Sequence, residues 1–279
     1  MRQNALKVEL GDYHDAVDLV GTGGDGKHTF NISTVASLVV AGAGTPVAKH
    51  GNRSVSSKCG SADVLVELGI ELNLDSLQLS LCLQQNGIAF LFAPMLHVAM
   101  KHAIGPRREI GVRSIFNILG PISNPAGVKR QLIGVYDKSL LRLLAEVLQQ
   151  LGSQHVLLVH SEEGLDEISL AGKTFVTELR DGKIREYSIT PYTFGLKPTD
   201  ASVTGGNAQE NAAIALQVLQ GKTGPARDIV IANAAAGIYV AGRAEDMREG
   251  AALAANSIDS GAALAKLEAL QEFTKSFIH

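Results

Sequence analysis

Tryptophan is missing from this chain, cysteine occurs only as Cys59 and Cys82, and no apolar run approaches the length of a membrane span. A span would need roughly 18 consecutive apolar residues. The N-terminus also lacks the pattern of a signal peptide. Two cysteines at no metal-ligand spacing suit reduced thiols better than a disulfide framework. Charge is scarce too: the net value is −3, and no basic stripe with interleaved aromatics occurs. Neither nucleic acid nor membrane is therefore indicated as a partner. The expectation is a soluble, cytoplasmic protein. What is plentiful is apolar material, 46% of 279 residues, enough for one large domain or one domain with an appendage.

Short β-rich runs alternate with longer helical patterns, which predicts an α/β sheet with helices on its faces. Strands are expected at 16–20, 46–48, 88–92, 131–136 and 155–159, and a hairpin of 174–179 and 183–189 turned at Asp181-Gly182. Helices are expected at 33–43, 62–68, 74–86 and 139–151, and throughout the chain after Ala208. The stretch 93–117 reads as helical and basic, interrupted by Pro94, Pro106 and Gly111.

The most informative stretch is Asp18-Leu-Val-Gly-Thr-Gly-Gly-Asp-Gly26, followed by Thr29-Phe-Asn-Ile-Ser-Thr34. A short strand ends in four glycines within six residues and passes through polar side chains into an apolar helix. Such a turn presents backbone N–H groups and a helix N-terminus to an anion. Gly21, Gly23 and Gly26 also fit a dinucleotide fingerprint, but the second strand runs into Lys49-His50 where an acidic residue is required. Gly21 to Lys27 fits a nucleotide P-loop, except that His28 stands where Ser or Thr must hold magnesium, and Thr29 comes one residue late. A phosphorylated ligand of another kind is the better expectation, against a purely structural glycine turn.

Three further clusters bear on it. Lys49 to Ser57 reads as a loop after a strand in which Lys49 supplies a point charge, Arg53 a planar fork, and Ser54, Ser56 and Ser57 hydroxyls. As a lone segment it could equally be a solvated polar loop. Asp166-Glu167 suits magnesium beside a polyphosphate, although two neighbouring acids taken alone are more simply an exposed pair. Arg107, Arg108 and Arg113, with Asn117 and Asn124 downstream, could pair with a substrate carboxylate or serve as surface helix charges. His50, His97 and His102 have no metal-ligand spacing and read as packed or polar-surface residues.

Taken together, "DLVGTGGDG", "TFNIST", "VAKHGNRSVSS", "GSAD", "FLFAP", "FNILGPISNP", "QLIGVY" and "HSEEGLDEISL" resemble the anthranilate phosphoribosyltransferases in order and approximate spacing, over nearly the whole chain from Asp18. The resemblance implies a mixed, largely parallel α/β sheet flanked by helices, in the two-domain architecture shared with pyrimidine nucleoside phosphorylases. Residues 1–92 and 126–279 would form the phosphoribosyl pyrophosphate (PRPP) domain, and 93–125 a remnant of a small helical domain. It implies transfer of the 5-phosphoribosyl group to anthranilate in tryptophan biosynthesis. Gly21, Gly24, Asp25, Thr29, Asn31, Ile32, Ser33 and Thr34 would hold PRPP, with Lys49, His50, Gly51, Asn52, Arg53, Ser54, Val55, Ser56, Ser57 and Ser61. Ser33, Asp166 and Glu167 would be ligands of magnesium, two ions of it, and Gly21, Asn52 and Arg107 would meet anthranilate. No residue is expected to act as a strong acid or base; Lys49 and Arg53 would support the leaving group.

The family also carries an N-terminal helical segment ahead of the glycine loop, which contributes to a homodimer, whereas Met1 here lies shortly before that loop. The expectation is a shortened form that keeps the PRPP cradle and exposes apolar surface near the helical segment. A truncated, inactive form that still binds PRPP, and a pyrimidine nucleoside phosphorylase-like enzyme, are the alternative readings.

Overall fold

The computed structural model describes residues 1–54, 59–100 and 115–277. Seven strands form one sheet in the order β3-β2-β1-β4-β5-β6-β7. They are β1 (Val17–Gly21), β2 (Val47–Gly51), β3 (Ile88–Phe92), β4 (Arg130–Gly134), β5 (His155–Ser161), β6 (Thr174–Arg180) and β7 (Lys183–Ile189). The first five run parallel, and β6 and β7 close one side antiparallel. The alternating apolar runs of the sequence thus become the expected α/β sheet.

Period-two alternation along the strands builds a core on each face of the sheet. Leu132, Leu157 and Val159 point into the larger core, and Ile133, Val135, Val156 and Leu158 into the smaller. The smaller core is roofed by α6 (Leu141–Gln150), whose Leu141, Leu144 and Leu148 are buried. The larger is covered by α1 (Ile32–Gly42), α8 (Pro225–Ala241), α9 (Met247–Asp259) and α10 (Ala262–Lys275), joined at one edge by α2 (Ser61–Glu67), α3 (Ser76–Asn86) and α7 (Ala208–Leu219). Helices α1 and α8 are apolar on nearly every side, as expected of helices enclosed by others. Gly237 lets α8 come close to the sheet: a Cβ there would sit 3.1 Å from Leu19 and from Val40.

The stretch after β3 holds α4 (Ala93–Leu96), a single turn at Val98–Met100 and α5 (Phe116–Leu119). Leu6, Met95, Val98 and Ile115 are exposed on and around it. One boundary differs from the sequence reading in a way that matters. The second strand continues through Lys49 and His50 to Gly51, so these are strand residues and not the start of a loop. The cause is lateral pairing, since Lys49, His50 and Gly51 align with Phe90, Leu91 and Phe92 of β3. Among the described residues, no helix is long and apolar enough to cross a membrane.

Candidate active site

The winding of the sheet reverses at β1: β2 and β3 extend it one way, β4 and β5 the other. Ligands of open α/β sheets collect outside the strand ends at such a point. Here β1 and β4 end side by side at Gly21 and Gly134. The segment after β5 folds back over both. A Cβ on Gly21 would lie 2.6 Å from Asp166 Oδ2, and one on Gly134 would collide with the Asp166 carbonyl oxygen. Glycine is needed at Gly134 because backbone stands in the way, whereas at Gly21 a side chain would displace the Asp166 carboxylate.

The acid pair is fastened to each end of the glycine loop. Asp166 Oδ2 accepts from the Gly23 N–H at 2.7 Å, and Glu167 Oε1 accepts from the Ser33 N–H, in the first turn of α1, at 3.2 Å. Between them the loop turns through left-handed Gly23, Gly24 and Gly26. From behind, Asn233 of α8, fully buried, accepts from the Ile168 N–H and donates to the Ile168 carbonyl, both at 3.0 Å. This locks the backbone next to Glu167. The reading of Asp166-Glu167 as an exposed pair is therefore corrected: Asp166 is buried, Glu167 half-buried, and both converge on the glycine loop.

Charge is withheld from water at this point. Burial, then the neighbouring Asp25, pushes the Asp166 carboxyl up to about 7. Burial, then Asp166, pushes Glu167 up to about 8, with Lys49 acting in the opposite sense. Lys49 reaches in from β2, 4% exposed, and its Nζ donates to the Leu19 carbonyl and, at 3.4 Å, to Ser33 Oγ. Its burial depresses its own pKa, partly offset by Asp18 and Glu167. Asp18, wholly buried in β1, accepts from the His50 N–H at 3.0 Å, Asn124 Nδ2 at 2.9 Å and Gln131 Nε2 at 3.4 Å. It thereby ties β1, β2, β4 and the 120–124 turn together.

Beyond β2 the loop is organised by Asp63. Its carboxylate accepts from the N–H groups of Ser54 and Gly60 and pairs with Arg53 Nη1 at 2.9 Å. Ser61 Oγ bonds the backbone of Asn52. Arg53, expected at phosphate, thus rests against Asp63, and Ser61 shapes the loop. Ile32 and Thr34 are buried, their N–H groups donate to the Phe30 and Asn31 carbonyls, and Thr34 Oγ1 is buried without a hydrogen-bond partner. Asn31 precedes α1, and Thr29 bridges to Thr204. Val55, Ser56, Ser57, His102, Arg107, Arg108 and Arg113 lie outside the described residues. His50 and His97 pack edge to face at 5.1 Å between ring centroids, as packed residues, with both Nε2 atoms buried and unpartnered. Burial, then His97, pushes the His50 imidazole down to about 3.

Sequence reading missed Asp63, Asn211 and Asn233. Only Asp63 carried a local signal, an acid three residues after the glycine that precedes α2. Two clefts, of about 260 and 210 Å³, flank the 199–204 segment rather than the strand ends. They hold neither member of the acid pair.

A sequence model described as "Glycosyl transferase family, a/b domain" matches residues 13–264. The anthranilate phosphoribosyltransferase of Pelotomaculum thermopropionicum is 54% identical over 275 residues, 98% of this chain and 79% of that protein. The chain belongs to the anthranilate phosphoribosyltransferase family. Solved members of the family share its fold. The Thermus thermophilus enzyme superimposes with a TM-score of 0.92 at 42% identity, covering 99% of this chain and 82% of the other. The Saccharomyces cerevisiae enzyme in complex with PRPP and Mg gives 0.89 at 31% identity, covering 99% and 77%. The same yeast enzyme has been solved with 4-fluoroanthranilate, giving 0.87 at 30% identity with the same coverage.

Proposed function

We propose that the chain transfers the 5-phosphoribosyl group of PRPP to the amine of anthranilate, releasing pyrophosphate and giving N-(5-phosphoribosyl)anthranilate in tryptophan biosynthesis. The observation that carries this reading is the convergence of the glycine loop, Lys49 and the Asp166–Glu167 pair at the switch point between β1 and β4. Relatives over 50% identical bear that activity in their name, and a yeast relative is solved with PRPP and Mg.

The residues suit magnesium brought in with PRPP. Asp166, Glu167 and the Ser33 hydroxyl are an all-oxygen donor set, and among the described residues Lys49 is the cation that offsets Glu167. Among the described residues no cluster of three or more His, Cys, Asp and Glu could hold a metal. Two carboxylates with phosphate oxygens and water are what magnesium commonly takes. When bound, Mg²⁺ supplies charge neutralisation at the departing pyrophosphate. Two ions are proposed, as the resemblance implies.

The chain's own groups do the rest. The glycine loop, with Lys49, holds the pyrophosphate and stabilises the charge that grows on it as the C1–O bond breaks. Anthranilate approaches from the side of Asn52, Gly21 and Arg107, the last pairing with its carboxylate, and the helical segment 93–125 carries this acceptor half. The arylamine is neutral at pH 7, so positioning replaces a strong base. A cytoplasmic location and a homodimer complete the proposal.

The test is magnesium-dependent loss of anthranilate fluorescence on addition of PRPP. Turnover that requires both, with a raised anthranilate KM in Arg107→Ala, supports the reading. No turnover and no calorimetric binding of PRPP in the presence of MgCl2 would sink it.

A further inference from the structure

We infer that Asn211, 180 residues beyond Asn31 and outside every motif discussed above, is a positioning residue for PRPP, setting which end of the Asn31 carboxamide is presented to the ligand. This rests on the reading of the cradle as a PRPP site.

A carboxamide is nearly symmetric in shape and opposite in chemistry at its two ends, so its neighbours decide which end points where. The backbone N–H of Gly206 can only donate, and at 2.7 Å it meets Asn211 Oδ1. Asn211 must then turn its NH₂ the other way, where Nδ2 lies 3.0 Å from Asn31 Oδ1. Asn31 therefore accepts on that side, where the Cys59 thiol adds a weaker donor at 3.4 Å, and turns its own NH₂ to the Cys59 carbonyl at a long 3.4 Å. A bond of that length is readily exchanged for a phosphate or ribose oxygen. The relay Gly206 to Asn211 to Asn31 thus makes Asn31 a donor toward the ligand.

The surroundings leave the relay no slack. Asn211 is 2% exposed, so water cannot replace its bonds. The 203–205 segment is laced to the exit of the glycine loop: the Phe30 N–H donates to the Val203 carbonyl at 3.2 Å, and the Gly205 N–H to the His28 carbonyl at 2.8 Å. A Cβ on Gly205 would stand 2.5 Å from Asn211 Oδ1 and 2.7 Å from the Phe30 backbone, so only glycine passes between them. A C-terminal segment with no ligand-binding motif of its own therefore reaches the donor half of the site through one amide.

The decisive variant is Asn211→Asp, which keeps the size and the acceptor for Gly206 but removes the stronger donor to Asn31 Oδ1, leaves only the weak Cys59 thiol there, and sets a carboxylate against it. Asn31 relieves the clash of acceptors by reversing, and its carbonyl then meets the anionic ligand. Steady-state kinetics should show the PRPP KM raised about tenfold or more, the scale of one charge-assisted hydrogen bond lost, with the anthranilate KM little changed. In an Asn31→Ala background the same substitution should change the PRPP KM by less than about twofold, because its intermediary is gone. Asn211→Ser, which retains a hydroxyl donor, should fall between wild type and Asn211→Asp, and carries the comparison if the aspartate variant does not fold. Equal rises in both KM values that follow a lowered Tm, or the same penalty with and without Asn31, would overturn the assignment and leave Asn211 a packing residue. Calorimetry of wild-type protein with PRPP and MgCl2 separates the two levels. If wild type binds, only the relay is at stake. If it does not, the PRPP reading fails and the relay falls with it.

Discussion

Glu178, in the middle of β6, and the Asp166–Glu167 pair, on the segment after β5, are all withdrawn from water, yet their carboxyls are driven in opposite directions. Burial alone would raise Glu178, but it accepts from His155 Nε2 at 2.8 Å, Tyr239 at 3.0 Å and Tyr187 at 3.2 Å, and ends below its usual value. The acid pair receives backbone N–H groups, lies beside a third acid, Asp25, and ends at about 7 and about 8. The difference separates a carboxylate whose hydrogen-bond donors outweigh its burial from a pair in which burial and neighbouring acids outweigh the donors. Ionising such a pair costs stability, and carboxyls perturbed in this way are candidates for a functional site.

The sharpest break would come from Asp166→Asn and Glu167→Gln. Each should lower magnesium-dependent kcat/KM for PRPP by about a hundredfold or more, while the ligand-free Tm holds or rises because a buried charge has gone. Turnover near wild type in both variants would erase the contrast. Glu178→Gln should do the reverse: chemical denaturation should show a loss of about 1–3 kcal/mol as His155 and the two tyrosines lose an acceptor, with both KM values nearly unchanged.

A smaller effect sharpens the comparison by its sign. The acid pair titrates higher in the folded chain than the ordinary 3.8 and 4.5, so the unfolded chain releases those protons first. Ligand-free stability should therefore fall as pH rises from about 4 to about 8. Glu178, held below 4.5, contributes stability above that value and loses it as pH drops through its lowered folded value. Thermal melts in a pH series should slope downward toward pH 8 in wild type and Glu178→Gln, and less steeply in Glu167→Gln, where Asp166 and the buried Asp18, itself raised to about 6, still contribute. A slope unchanged in Glu167→Gln would show that Glu167 does not contribute to it. The smallest change belongs to the ion pair of Arg243 with Asp15, which is partly open to water. Arg243→Ala should shift stability by no more than about 0.5 kcal/mol, which would confirm that burial, rather than charge alone, separates the two regions.

Much of the frame could be read locally. β3 was expected at its observed limits, and the hairpin turned where Asp181 and Gly182 both adopt positive φ, because alternation and an Asp-Gly turn are short-range signals. Lys49 and His50 were misplaced in a loop because their pairing with β3 lies about 40 residues away and leaves no mark in the adjacent letters. Within the cradle, the glycine run, Ser33 and the acid pair were all legible as residue types. Their convergence came only from the family resemblance, since spacing alone left the acids as an exposed pair.

From the order of its residues alone this chain was an α/β protein with an anion-binding glycine turn and the motifs of a phosphoribosyltransferase, because glycine geometry, apolar period and charge type act over a few residues. Only the folded chain decided that Asp166 and Glu167 lie over Gly21 and Gly134, that Lys49 enters from a buried strand, and that Asn211 and Asn233 hold the site from the C-terminal helices. Those decisions depend on desolvation and on partners brought together by the sheet. Neither is a property of neighbouring letters.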